Sequence, residues 1–184
     1  EEIPVVTTRD AHNRQSMVRV IAGTWAGVTA PAPAPDSWAA DPANGVTIWL
    51  VTMDPGATLT LPAAAPRLTR TLYFYEGSSL TAGTTPLPRY HQADLAPERE
   101  ITLVNGAGEG RFLLVQGRPL EEPVVQYGPF VMNSENEIRE AFRDYRATEF
   151  GGWPWDDRGP VHGPELRRFA SYPGGETVFP GHGN

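Results

Sequence analysis

Two residue types are missing from this chain. It has no cysteine, so disulfides, zinc–thiolate centres and cysteine nucleophiles are excluded. It also has no lysine, because all 15 of its basic residues are arginine; we interpret this as the bias of a GC-rich genome. The lack of cysteine fits a reducing compartment, and we expect a cytoplasmic protein.

Long apolar runs are missing as well. No stretch approaches the roughly 18 apolar residues of a membrane span, and the first residues do not form a signal peptide. We therefore expect no membrane contact. The chain starts with Glu1 rather than methionine, and we expect it to be a fragment or a processed product. Its net charge of −7 argues against direct nucleic-acid binding, since an acidic surface repels phosphate backbones.

What the chain has in abundance is turn residues. It contains 19 glycines and 19 prolines, and 40% of its residues are hydrophobic. This composition favours many short strands around a real core over long helices. Apolar runs and alternating patterns bounded by turns predict strands at 18–23, 46–53, 57–61, 70–76, 81–90, 100–104 and 111–116. Such spacing indicates an antiparallel sandwich or barrel. In the fourth strand, Leu72 and Phe74 share one face, and Tyr73 and Tyr75 share the other.

One amphipathic helix is predicted over Glu135–Arg146. Ser134 and Glu137 have the spacing of a capping box. One apolar stripe follows at helical spacing: Ile138, Ala141, Phe142 and Tyr145. We expect the glycine pair 151–152 to close the helix, and an irregular tail to follow it.

The segment Gln116–Asn133 carries the most specific run in the chain, QGRPLEEPVVQYGPFVMN. It resembles the C-terminal signature of the pirin family, in which a strand ends in a G-x-P step and EP-VV-YGPFVMN leads into a helix. Short matches at 18–23, 141–145 and 150–151 agree with it. The resemblance spans nearly the whole chain, but it covers only the second half of a pirin.

Pirins are cupins with two barrels, and the resemblance carries expectations about fold and chemistry. It implies an all-β cupin jelly roll, a double-stranded β-helix, with a C-terminal α-helix and an irregular tail. We place a polar N-terminal segment at 1–17, the cupin barrel at 18–133, and the helix and tail at 134–184. The resemblance also implies iron or another divalent metal in the N-terminal barrel of the parent protein. Some bacterial members are quercetin 2,3-dioxygenases, and animal members are nuclear transcription cofactors.

The ligands of a cupin metal site are not found here. Such a site needs roughly three histidines and a carboxylate that converge inside the barrel. The two places to look are 57–70 and 105–116, and neither contains histidine. We therefore predict no catalytic residue, no cofactor-binding residue and no metal ligand in this chain.

The four histidines do not form a metal pair, because no two of them lie two or four positions apart. We interpret His12 and His182 as solvated residues of polar terminal stretches. His91 follows a predicted strand end, where a solvated position competes with a contact at the barrel rim. For His162 we expect a structural hydrogen bond or a contact with the missing half.

Other chemical candidates have plainer interpretations. There is no G-x-S-x-G elbow, and Glu121 and Glu122 are adjacent on an extended chain, so they point to opposite faces. The glycine-rich segment 106–110 joins two strands, and we predict a hairpin turn rather than a phosphate cradle. Segment 127–132 either seats the helix on the barrel or docks on the N-terminal barrel, and we expect a mixture of both.

Two functional hypotheses follow from the resemblance. In the first, this chain is the structural, metal-free half of a parent that is a metal-dependent quercetin 2,3-dioxygenase. In the second, the parent is a non-enzymatic module that senses metal or binds a protein, as a pirin-type transcription cofactor does. For partners we expect the N-terminal cupin half or a second copy of the chain, because the aromatic-rich tail 153–179 needs a surface to cover it. Within that tail, we expect Trp153 and Trp155 to pack at an interdomain surface.

The first prediction concerns secondary structure. The far-ultraviolet circular dichroism spectrum of the chain should be dominated by β-structure, with a minor helical contribution from one short helix. A spectrum dominated by helix would contradict the predicted antiparallel barrel.

Overall fold

The structure is a computed structural model that describes residues 2–153, 169–172 and 174–179. The chain divides into two compact units, residues 1–120 and residues 121–184. The first unit contains strands β1 Val5–Arg9, β2 Gln15–Ala22, β3 Thr24–Trp25, β4 Val28–Thr29, β5 Thr47–Met53, β6 Thr58–Leu61, β7 Thr69–Glu76, β8 Leu80–Ala82, β9 Thr85–Leu87, β10 His91–Leu95, β11 Ile101–Asn105 and β12 Gly110–Gly117.

Two antiparallel sheets make up the first unit. The larger has the order β1-β2-β5-β12-β7-β10, and the smaller has the order β6-β11-β8-β9. Every pairing in both sheets is antiparallel. Neighbours in space are far apart in sequence, as β5 and β12 show, so the sheets must be assembled by long connections. This is the arrangement of a jelly roll, and it confirms the predicted antiparallel barrel.

Strict alternation along the strands fills the interior. On β5, Trp49, Val51 and Met53 are buried, whereas the residues between them are only half-buried. A single hydrophobic cluster joins side chains from both sheets, so the sheets enclose one core. Its largest fully buried members are Phe74, Phe112, Met53, Leu61, Leu72, Leu80, Leu103 and Leu114. Each such side chain contributes roughly 1.5–3 kcal/mol when it leaves water.

The main strand predictions are confirmed, with differences at the edges of the sheets and in the short hairpins. The predicted strand 81–90 is the hairpin β8–β9, which turns at Gly83 with a positive φ of 61°. Strands β1 and β10 were not predicted, and β1 lies within the polar N-terminal segment at 1–17. Both are edge strands with mostly exposed or half-buried residues. A polar edge strand lacks the apolar alternation that reveals a strand in sequence.

The second unit contains a short hairpin and the helix. Its elements are β13 Val125–Tyr127, β14 Phe130–Met132, α1 Glu135–Thr148, β15 Ala170–Ser171 and β16 Thr177–Val178. The predicted capping box is confirmed: the Glu137 amide donates to Ser134 Oγ at 3.3 Å, and the Ser134 amide donates to the Glu137 carboxylate at 2.8 Å. Phe130 of the hairpin packs edge-on against Phe142 of the helix, with ring centroids 4.9 Å apart. Among the described residues, no helix is long and apolar enough to cross a membrane.

The helix ends differently from the prediction. Glu149, not a glycine, adopts the left-handed conformation at its C-terminus, with φ 48°, and its amide donates to the Tyr145 carbonyl. Phe150 is also left-handed and packs 5.2 Å from the Tyr145 ring. This aromatic contact explains why the chain turns before it reaches Gly151.

A carboxylate ties the first two strands to the body of the barrel. The nearly inaccessible Asp10 side chain accepts hydrogen bonds from the amides of His12, Arg14 and Thr58, at 2.8, 3.0 and 3.1 Å. The Arg14 guanidinium adds a fourth at 2.8 Å. Desolvation pushes the pKa of Asp10 up, but these hydrogen bonds to the ionised form outweigh it and lower the pKa to about 2.

The sign of this shift predicts a pH dependence. A carboxylate whose pKa is depressed on folding stabilises the protein above its ordinary pKa, and the stabilisation is lost as pH falls from about 4 to about 2. Denaturant midpoints of the wild type and of Asp10→Asn should therefore differ most near neutral pH and converge in that acid range. A constant difference between the two proteins throughout the acid range would contradict this role of Asp10.

Candidate functional site

One end of the barrel interior, called the mouth here, is polar. In the register of the large sheet, Gln116 of β12 lies opposite Thr47 of β5 and Arg70 of β7. The next inward row consists of Trp49, Leu114 and Leu72, all buried. The mouth is therefore a polar row that closes an apolar interior.

Arg70 is the unusual member of this row. It is only 2% exposed, yet its recorded partners are neutral oxygens. Nε donates to Gln116 Oε1 at 2.7 Å, and Nη1 donates to the carbonyl of Pro62 at 2.8 Å. Burial lowers the pKa of the Arg70 guanidinium, although arginine keeps its proton in proteins. The barrel mouth thus holds a buried cation with no counter-ion among the described residues.

Gln116 holds the row together. Its Oε1 faces Arg70, and its Nε2 donates to the carbonyl of Gly45 at 3.1 Å and to Thr47 Oγ1 at 3.3 Å. The amide orientation follows from this, because only oxygen can accept from the guanidinium. Deeper in the barrel, the rings of Trp25 and Trp49 pack edge to face at 4.7 Å, and neither buried indole N–H has a recorded partner.

The two histidines that the structure describes lie at opposite edge strands of the large sheet. His12 lies in the turn after β1 and is exposed, and His91 lies at the start of β10, also exposed, with Nδ1 3.1 Å from the carbonyl of Arg89. His162 and His182 lie outside the described residues, as does Trp155. In the part of the chain that is described, no three His, Cys, Asp or Glu side chains gather as a metal site would require.

The donor set of the barrel interior does not fit a divalent metal. The inward positions carry apolar side chains, a serine, a threonine, amides and one guanidinium. Cupin metals need imidazole and carboxylate ligands. A divalent ion near Arg70 would instead meet like-charge repulsion, which is strong in a low-dielectric interior. The side chains that are present therefore do not provide the ligands that a divalent metal needs.

The glycine-rich segment 106–110 is not a hairpin, which corrects the prediction. It joins β11 to β12, but β11 belongs to the small sheet and β12 to the large one. Buried Asn105 holds this crossing, because its Nδ2 lies within 3.0 Å of the carbonyls of Met53, Asp54 and Gly108. A glycine-rich sequence alone cannot distinguish a turn within one sheet from a crossing between two.

The remaining candidates lie in the second unit. Glu121 and Glu122 are exposed, and Glu122 accepts a hydrogen bond from Asn133 at 2.6 Å. They form no carboxylate pair in that geometry. Segment 127–132 forms the turn and second strand of the β13–β14 hairpin, which packs on α1 through aromatic rings. That segment 127–132 seats the helix on the barrel or docks on the N-terminal barrel stays a prediction.

The family model for the pirin C-terminal cupin domain matches residues 48–151. The chain belongs to the pirin family. The resemblance inferred from residues 116–133 is thereby confirmed, together with the cupin fold.

Curated relatives of this pirin-family chain also support the family assignment. A protein named "Putative quercetin 2,3-dioxygenase" from Vibrio cholerae is 37% identical over 139 residues, which are 76% of this chain and 47% of that protein. Pirin-1 of Arabidopsis thaliana is 34% identical over 140 residues, or 73% of this chain and 45% of that protein. The chain thus spans about half the length of these relatives.

A solved structure resembles the fold. The crystal structure of a quercetin 2,3-dioxygenase from Acinetobacter baumannii matches with a TM-score of 0.66 and 29% identity, over 82% of this chain and 48% of that one. The match supports a cupin jelly roll for this pirin-family chain. As with the curated relatives, about half of the matched protein lies outside the comparison.

Sequence reasoning missed the Arg70–Gln116 pair. A signal was available, since Arg70 precedes Leu72 and Phe74 at a spacing of two and so shares their inward face. Its partner could not be found in this way, because Gln116 is 46 residues away in sequence. Only the register of β7 against β12 brings them together.

Proposed function

We propose that this chain is a structural, metal-free cupin domain, the C-terminal half of a parent protein that is a metal-dependent quercetin 2,3-dioxygenase. The observation that carries the proposal is the barrel interior, which is filled by apolar side chains and a buried arginine. The relatives named as quercetin 2,3-dioxygenases support the assignment of the parent. Iron or another divalent metal would then belong to the N-terminal barrel.

The domain limits enter the proposal as predictions. Three limits stay predictions from the sequence: an N-terminal segment at 1–17, a barrel at 18–133, and a helix with a tail at 134–184. The assignment of no catalytic, cofactor-binding or metal-binding residue to this chain stays a prediction too.

Metal analysis tests the metal-free role. After dialysis against a chelator, the purified chain should retain no stoichiometric iron, nickel or manganese by inductively coupled plasma mass spectrometry. The quercetin 2,3-dioxygenase of Acinetobacter baumannii, treated in parallel, is the control for loss during handling. Stoichiometric metal retained by this chain would contradict the proposal.

The competing hypothesis is a parent that senses metal or binds a protein without catalysis. Relatives named simply Pirin, such as the mouse protein at 43% identity over 63 residues, keep this alternative open. Quercetin turnover by the full-length parent with added iron separates the two. Turnover favours the dioxygenase, and a metal-loaded but inert protein favours the regulatory module.

We also propose that the central part of the outer face of the large sheet, around Leu113, is covered by another cupin barrel. One outward row runs through Tyr73, Leu113 and Leu50, and Tyr73 is 38% exposed. An antiparallel sheet that faces water on one side is normally polar on that side. The aligned residues make up less than half of each relative, which leaves enough chain in each of them for a second barrel.

In the absence of that barrel, we expect the exposed face of one copy of the chain to pack against another copy. We expect multi-angle light scattering to show concentration-dependent self-association of the purified chain, and Leu113→Asp to weaken it. Thr102→Asp, an exposed position on the small sheet, is the matched control and should leave association unchanged. A monomer at high concentration that binds no apolar dye would contradict a covered face.

A further inference from the structure

A surface cavity of about 410 Å³ lies on the outside of the large sheet, at the end next to the barrel mouth. Its walls include Trp38 from the loop that precedes β5, Gln116 and Gly117 from β12, Thr69 from β7, and Arg118. A cavity of this size falls within the range of small-molecule sites. It lies at one end of the outer face, one outward row along from Tyr73, Leu113 and Leu50.

The loop that forms one wall is held in place. Ser37 Oγ accepts from the Ala39 amide at 3.2 Å and so caps a short turn that carries Trp38. Asn44, itself buried, donates to the Trp38 carbonyl at 2.8 Å, and its own carbonyl accepts from the Arg118 amide at 2.8 Å. The same buried residue therefore anchors both Trp38 and Arg118.

The two anchored side chains offer complementary chemistry. Trp38 is 41% exposed, so a ring face or edge is available for stacking. Arg118 is exposed and forms no ion pair with any of the described residues. A free guanidinium can hold a carboxylate with two parallel hydrogen bonds.

The rest of the lining favours a negative charge. Among the residues that the structure describes, no acidic side chain lines the cavity. The Asp94 carboxylate accepts a hydrogen bond from the hydroxyl of Thr71, a lining residue, at 2.8 Å. Behind the wall, Gln116 is hydrogen bonded to the buried Arg70, whose charge has no acidic partner. A buried, unneutralised cation acts through a low-dielectric interior and attracts anions towards this end of the barrel.

We propose that this cavity binds a small aromatic carboxylate, with the ring against Trp38 and the carboxylate on Arg118. Val115 and Ile48 form part of the floor, and the buried Arg70 lies on the inner side of the same sheet, from where its charge favours an anion in the cavity. The site lies in the metal-free barrel, so it goes beyond the proposed structural function and does not depend on catalysis by the parent.

Benzoate is the probe that tests the site, and benzyl alcohol at the same ionic strength is its neutral counterpart. In ¹H–¹⁵N spectra of the purified chain, benzoate should shift the Trp38 indole signal in a saturable manner, whereas benzyl alcohol should not. The signal can be assigned with Trp38→Phe. Equal shifts with both compounds, or a shift that never saturates, would overturn the proposal without any variant.

Matched variants locate the site. Arg118→Met should weaken benzoate affinity about tenfold, as expected for one lost charge-assisted contact, and the exposed Arg99→Met should not. An added Cβ at Gly117 would lie 3.6 Å from Trp38 Cζ3, in ordinary contact, and the two methyl groups of a valine would extend from there along the Trp38 ring. Gly117→Val should therefore block binding, while Gly108→Val, which faces open space, should leave it intact. Unchanged affinity in both Arg118→Met and Gly117→Val would overturn the site.

Discussion

The alternation of side chains on β5, β12 and β7 is the constraint on which this molecule depends. These three neighbouring strands send every second residue inward, and the inward rows are apolar except at the mouth. There Arg70 is buried and held by Gln116 and by the carbonyl of Pro62. Leaving a buried guanidinium without hydrogen bonds would cost several kcal/mol, so this polar row and the barrel register stabilise each other.

This arrangement changes what a cupin barrel can do. The fold places its strands where other cupins gather imidazoles and carboxylates around a metal, but fold does not determine function. In this chain, the interior positions supply hydrocarbon and one positive charge. In our proposal, the cation that disfavours a metal also attracts an anion to the adjoining cavity. A domain of this kind can stabilise a two-barrel protein and still carry a ligand site of its own.

The sequence predicts those features that depend on local pattern. The capping box of α1, the two faces of β7 and the family signature at 116–133 were all accessible from spacing and residue type. The edge strands β1 and β10 were not, because their residues are half-exposed and lack apolar alternation. The crossing at 106–109 and the Arg70–Gln116 pair depend on which strands become neighbours. That information resides in long-range register rather than in any window of the sequence.

The central claim is that the barrel interior carries its own cation and excludes a divalent metal. The most direct measurement is paramagnetic broadening by Mn²⁺, read on the buried indole signals of Trp25 and Trp49, which lie in the core. The account predicts that both signals stay sharp when Mn²⁺ is present in excess over the chain. Selective loss of both signals at one equivalent of Mn²⁺ would show a metal inside the barrel and contradict it.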